Sequence, residues 1–236
     1  MRQIFTISLL SVLLLAGCGA SRPVSSEVCD CQQAVRVPDK AFRTFLVDKG
    51  FAVKAGWHTL KPTAKGCALT ALECYEQGIH SLKGIEMFPQ LEQVTCSDNP
   101  LVELDLDSLQ RLQRLYGLNL PLQSITIDSC HHLQHIELSH TQLDTFNLSP
   151  FPELEFFYCI FSPMRSLNLS PCRTLKSLYI RGTQIRTVDL RPCSSLLEFH
   201  ALDTPLEHII VSPEQYQSNI KVSVEDSVKI ITKQIP

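Results

Sequence analysis

The chain repeats itself every 21 residues. Cutting it at residues 101, 122, 143, 164 and 185 gives five consecutive units of 21 residues without insertion or deletion, and a partial sixth opens at 206. The first position of the unit reads Leu101, Leu122, Leu143, Met164, Ile185 and Leu206, and the fourth reads Leu104, Ile125, Phe146, Leu167, Val188 and Ile209. The sixth reads Leu106, Ile127, Leu148, Leu169, Leu190 and Val211. In the second half of the unit, Leu112, Leu133, Leu154, Leu175 and Leu196 are each followed three residues later by Leu115, Ile136, Phe157, Leu178 and Phe199. A coil this short cannot bury its own apolar stripe, whereas stacked coils bury a continuous core between neighbours. A fixed period of this kind therefore predicts a solenoid.

Just upstream, Leu91-Glu-Gln-Val94-Thr-Cys96-Ser-Asp-Asn99-Pro-Leu101 fits the leucine-rich-repeat pattern L-x-x-L-x-L-x-x-N-x-L. The predicted fold is a leucine-rich-repeat solenoid of short 21-residue coils. A parallel β-sheet lines its concave arc, extended or turn segments form its convex side, and a small helical cap covers its N-terminal end. The asparagine column continues as Leu120, Thr141, Ser162, Thr183 and Thr204, so hydroxyls replace the amide in four turns. Leu120 has no hydrogen-bonding capacity, and its turn is expected to be the least regular.

The first residues carry a different message. Arg2, the apolar run from Ile4 to Leu15 and the step Ala16-Gly17 form the three parts of an export signal, too short for a membrane span. Leu15-Ala16-Gly17-Cys18 resembles the lipobox of bacterial lipoproteins, which implies acylation of Cys18 and cleavage before it. Gly19 after that cysteine implies, by the same resemblance, an outer-membrane anchor in the cell envelope. The expected organisation is a signal peptide over 1–17, an acylated tether over 18–30, a cap over 31–78, repeats over 79–211 and a C-terminal cap over 212–236. With Arg2 removed, 20 basic face 24 acidic side chains and no Lys/Arg run occurs, which argues against nucleic acid as a partner.

As a whole, the chain resembles the leucine-rich-repeat lipoproteins of the Bacteroidetes. Val37-Pro-Asp-Lys-Ala-Phe-Arg-Thr-Phe-Leu46 looks like the helix that caps the first coil in that family, and Leu82–Leu91 looks like its first repeat. Leu206–Pro213 resembles its closing coil. Relatives often carry an acidic calcium-binding loop after the cap helix. Lys54–Thr63 has no carboxylate there, so no calcium site is expected.

Ten cysteines raise the question of metal or redox chemistry. Cys96 and Cys159 fall in a buried apolar column three coils apart, roughly 14 Å, too far to bond. Cys130, Cys172 and Cys193 share another column, in which only the adjacent pair Cys172 and Cys193 can meet the disulfide distance; otherwise they pack as small hydrophobes. Cys29, Cys31, Cys67 and Cys74 lie near the cap, where an exported protein can gain a disulfide clasp. Paired C-x-x-C spacing is missing, and the histidine run His131, His132, His135 and His140 spreads over a turn and a strand, so neither predicts a metal site. No nucleophile, base and orienting group can be placed together by spacing, so neither catalytic residue nor cofactor is expected.

The concave strand instead points its fourteenth, sixteenth and eighteenth positions outward. These include Arg114, Tyr116, His135, Glu137, Phe156, Tyr158, Tyr179, Arg181, Glu198 and His200. A merely solvated strand would carry Lys, Glu, Thr and Ser; Tyr, Phe, His and Arg are the types in which interfaces concentrate their energy. The face reads as a recognition surface for a protein or peptide. The alternative is a structural or adhesion component of the envelope in which no face dominates.

Overall fold

The computed structural model describes residues 33–234, so the export signal, Cys18, the tether, Cys29 and Cys31 lie outside the described residues. The N-terminal cap comprises β1 (Val35–Arg36), α1 (Lys40–Asp48), β2 (Ala52–Gly56), β3 (Thr59–Pro62) and the short α2 (Ala64–Cys67). Asp39 starts α1 because its Oδ1 accepts from the Phe42 N–H at 2.7 Å, and its Oδ2 accepts from the His80 N–H at 2.9 Å, which ties the cap to the first coil. Phe42, Phe45 and Leu46 form the buried face of α1. The segment without carboxylates, Lys54–Thr63, is built into the antiparallel β2–β3 hairpin, whose other edge strand is β1.

The repeats then deliver the predicted ladder. β4 (Ala71–Glu73), β5 (Gln93–Thr95), β6 (Glu103–Asp105), β7 (Arg114–Tyr116), β8 (Ser124–Thr126), β9 (His135–Glu137), β10 (Phe156–Tyr158), β11 (Ser177–Tyr179), β12 (Thr187–Asp189), β13 (Glu198–His200) and β14 (His208–Val211) lead to α3 (Pro213–Tyr216), β15 (Lys221–Ser223) and β16 (Lys229–Thr232). Strands β4, β5, β7, β9, β10, β11, β13 and β15 form one eight-stranded parallel sheet on the concave arc. Register follows the 21-residue period, as in Arg114↔His135↔Phe156↔Ser177↔Glu198. The central residue of each strand points inward: Leu115, Ile136, Phe157, Leu178 and Phe199 are all fully buried. The opposite arc has two short parallel sheets, β6–β8 and β12–β14–β16, with the coils between them extended but unpaired. Two successive turns close each convex corner, as when Cys172 N–H donates to Leu169 O and Leu175 N–H to Cys172 O.

The six concave strands from β5 to β13 each exit through a left-handed residue, in a column of Asp98, Asn119, His140, Phe161, Gly182 and Asp203 with φ between 52° and 67°. Just beyond it, Asn99 works as the consensus requires. Its Oδ1 accepts from the N–H groups of Gln77 and Ile79, at 3.1 and 3.0 Å, and its Nδ2 donates to the carbonyls of Cys74, Cys96 and Ser97, at 2.8, 2.9 and 3.1 Å. Thr183 and Thr204 each donate to the Ile180 carbonyl, at 2.9 and 3.0 Å.

The expected irregularity at Leu120 does not occur. Asn119 keeps the left-handed φ of 52°, and its N–H donates to Ser139 O at 3.0 Å like its counterparts. The reason is a compensating pair. Gly117 stands where neighbouring coils have Cys, Leu or Ile, and a Cβ there would come within 3.0 Å of Leu120 Cδ1. The missing side chain makes the space that Leu120, 1% exposed, fills.

Both ends extend the stack beyond the regular period. β4 pairs with β5 at a spacing of 22 residues (Ala71↔Gln93), which aligns Cys74 with Cys96 in one interior column. Cys74 is therefore a buried core thiol and not part of a cap clasp. At the other end Leu206–Pro213 does not close the solenoid. α3, started by a capping box between Ser212 and Gln215, stretches the spacing to 23 residues (Glu198↔Lys221), and β15 and β16 add one more turn. Nothing stacks on that turn among the described residues. Val222 is 45% and Ile230 48% exposed, whereas their column neighbours Phe199 and Ile209 are buried.

Candidate functional site

The concave sheet holds each outward side chain at the strand spacing, so rings in one row must touch their neighbours. Tyr116 lies 4.9 Å from His135 between ring centres, His135 5.3 Å from Tyr158, Tyr158 4.7 Å from Tyr179 and Tyr179 4.2 Å from His200. The last two are stacked, with 14° between planes, and Phe156 joins at 5.4 Å from His135. Five strands thus carry one continuous chain of half-buried rings, in which His135, from the adjacent file, bridges Tyr116 and Tyr158 where Glu137 interrupts their own. Edge-to-face and offset pairs of this kind hold their members in place, so the row is rigid before any partner arrives.

The charged members divide into satisfied and unsatisfied. Glu198 accepts from Lys221 Nζ at 3.1 Å and from the Tyr179 hydroxyl at 3.0 Å, and these bonds, Lys221 first, hold its carboxyl below the usual range. Arg181 pairs with Asp203 at 2.6 Å and places its guanidinium 5.3 Å from the Phe161 ring. Arg114 Nε donates to Gln93 Oε1 at 3.1 Å and points along the row's outer edge. Glu137, by contrast, stands between Tyr116 and Tyr158 in register, and its carboxylate has no hydrogen bond or ion pair among the described residues. Burial pushes its carboxyl above the ordinary value. His135 cannot neutralise it, because burial and then the Arg114 charge lower the imidazole pKa. Its Nε2 is buried without a partner.

Two outward positions do not face solvent. Ser177 is buried beneath its neighbours, and Ser139 is buried with its hydroxyl accepting from the Ile160 N–H at 3.2 Å. Ser177 stands between Phe156 and Glu198 in register and Ser139 between Leu118 and Ile160 in the repeat; a serine is too short to reach past such neighbours, so period alone misplaces it. One exposed ring escaped the strand-based reading altogether. Phe161, 44% exposed, sits in the left-handed turn at the rim, 5.2 Å from the His140 ring. Its signal was an aromatic in a column otherwise made of Asp, Asn, His and Gly.

The remaining candidates for chemistry scatter. His131 Nδ1 contacts Pro150 O, His132 pairs with Glu153, His140 leans on Phe161 and His135 belongs to the ring row. Cys172 and Cys193 are free buried thiols; burial pushes Cys172 up to about 12 and Cys193 higher still, so neither offers a thiolate. Cys159 is pushed up to about 11 and Cys130 to about 12 for the same reason.

No protein-family model and no curated protein matches the sequence. Among solved structures the chain is similar to internalins of Listeria monocytogenes. Internalin C2 aligns with a TM-score of 0.53 at 18% identity over 85% of this chain and 98% of that one. An internalin named InlF aligns with a TM-score of 0.50 at 16% identity over 84% and 76%. The functional domain of InlJ, described as including a cysteine ladder, gives 0.48 at 16% identity; this chain covers 64% of its length and 86% of its own. At such identities the likeness to the first two defines the fold, a leucine-rich-repeat solenoid.

Proposed function

We propose that this is a cell-envelope lipoprotein of the Bacteroidetes leucine-rich-repeat type that binds a protein or peptide through its concave face and has no catalytic role. The observation that carries the binding reading is the unbroken row from Tyr116 to His200, because a prearranged aromatic surface can be covered without first losing side-chain freedom. Glu137 supplies the polar anchor: a half-buried carboxylate without a counter-charge gains most from a lysine, arginine or hydroxyl on the partner. The envelope location rests on the lipobox at Cys18, the tether to residue 30, and the resemblance already described.

The test is a pull-down from native envelope with the chain beginning at Gly19. Tyr158→Ala combined with Tyr179→Ala should weaken capture by about 2 kcal/mol or more, since interface energy concentrates in central aromatics. The control pair is Arg165→Ala with Gln184→Ala, both exposed on the opposite arc. Asn147 and Asn168 are unsuitable controls because each holds a turn, accepting from the N–H of Ser149 at 3.0 Å and Ser170 at 3.1 Å. Equal loss from both pairs removes the concave face as the binding site.

A further inference from the structure

We infer that the N-terminal cap is a docking surface for an anionic lipid bilayer. Charge in this chain is segregated along the solenoid. Between residues 33 and 70 stand Arg36, Lys40, Arg43, Lys49, Lys54, Lys61 and Lys65 against only Asp39 and Asp48, a local net charge of +5 in a chain whose total is −3. No two of these cations are adjacent in sequence; the fold distributes them over β1 (Arg36), α1 and its C-cap (Lys40, Arg43, Lys49), the β2–β3 hairpin (Lys54, Lys61) and α2 (Lys65). Lys40, Arg43 and Lys54 line one cleft of about 370 Å³ between α1 and the hairpin, together with Trp57 and Asp48.

Trp57 gives the patch its chemistry. It is the chain's only tryptophan, it occupies the hairpin tip, and at 91% exposure it is far more exposed than any other large apolar side chain among the described residues; Val53 on β2 is 50% exposed. His58, next to it, takes the left-handed turn that projects the tip. An exposed tryptophan at a cleft lined by Lys40, Arg43 and Lys54 is well suited to the headgroup region, where the indole straddles polar and apolar layers and the cations meet lipid phosphates. A single-stranded nucleic acid would match the charge but would call for several stacking rings. The 15 residues from Cys18 to residue 33 reach at most about 50 Å, so the lipid proposed above for Cys18 would keep this end of the chain within that distance of a bilayer.

The measurement uses the non-acylated chain beginning at Gly19, and its single tryptophan is the probe. Titrated with vesicles of phosphatidylcholine containing about one-third phosphatidylglycerol, Trp57 emission should shift to the blue and the protein should float with the vesicles at low salt. Pure phosphatidylcholine should produce neither change. Raising salt to about 0.5 M should release the protein without any mutation, because exposed charges are then screened. Lys54→Glu with Lys61→Glu should lower vesicle affinity about 25-fold from the two attractions lost, at roughly five-fold each, and further from the two repulsions gained. Trp57→Phe should retain flotation, and Trp57→Ala should weaken it, with unchanged circular dichroism in both. Absence of a blue shift on anionic vesicles, equal binding to neutral ones, or a shift produced by an oligonucleotide but not by vesicles overturns the proposal.

Discussion

Leu178 is the severest test of the stacked core. It is fully buried at the centre of β11, between Phe157 on β10 and Phe199 on β13, both also fully buried. Leu178→Ala removes three carbons, about 2.4 kcal/mol at roughly 0.8 kcal/mol per methylene. Flanking aromatic rings cannot collapse into the space as a flexible side chain would, so a cavity remains and the total should reach about 3–4 kcal/mol. Against a domain stability of about 5–15 kcal/mol that is a large fraction. Val222 occupies the same column two strands further on but is 45% exposed, and Val222→Ala should cost less than about 1 kcal/mol. Urea unfolding followed by circular dichroism gives both values. Hydrogen exchange should show protection lost first in β10 and β13, since coils couple to nearest neighbours. A cost below about 1 kcal/mol for Leu178→Ala, or equal costs for the two variants, would refute the stacking argument.

Two further outcomes follow from single groups. Glu137 titrates above its ordinary value in the folded state, so between the unfolded and folded pKa the native form binds more protons and stability falls as pH rises through that window. Glu137→Gln should therefore melt at or above the wild-type temperature at neutral pH, and the wild-type deficit should vanish in acid; subtracting the two melting curves cancels the opposite titration of His135 on the same strand, and a variant less stable than wild type at neutral pH would show that Glu137 has a partner. Cys18→Ser should abolish lipid labelling and leave the chain unprocessed or released from the membrane fraction, an outcome read by metabolic labelling with palmitate.

Much of this molecule could be read from the chain because a solenoid turns sequence period directly into spatial columns. Leu115, Ile136, Phe157, Leu178 and Phe199 share one interior file because the spacing is constant, and the ring row follows from the same count one position to either side. Where spacing changes, the count fails: 22 residues separate Ala71 from Gln93 and 23 separate Glu198 from Lys221, so the coil holding Cys74 and the coil holding Val222 were hidden. Side-chain length was the second blind spot, since Ser139 and Ser177 point outward yet lie under longer neighbours. The basic cap was the third. Its cations are dispersed in sequence and become a patch only when α1 packs beside the hairpin.

The left-handed turn column carries a lesson about which changes the chain can accept. Phe161 adopts φ 53°, a conformation costly for a bulky residue, and its ring lies over Gly182, where a Cβ would come within 2.3 Å of a ring carbon. Residues 161 and 182 therefore form an epistatic pair, although 21 residues separate them. Any side chain at 182 evicts the ring at 161, whereas once 161 is small that steric barrier at 182 disappears. The order in which two mutations arrive decides whether the intermediate is tolerated, and their effects should not add.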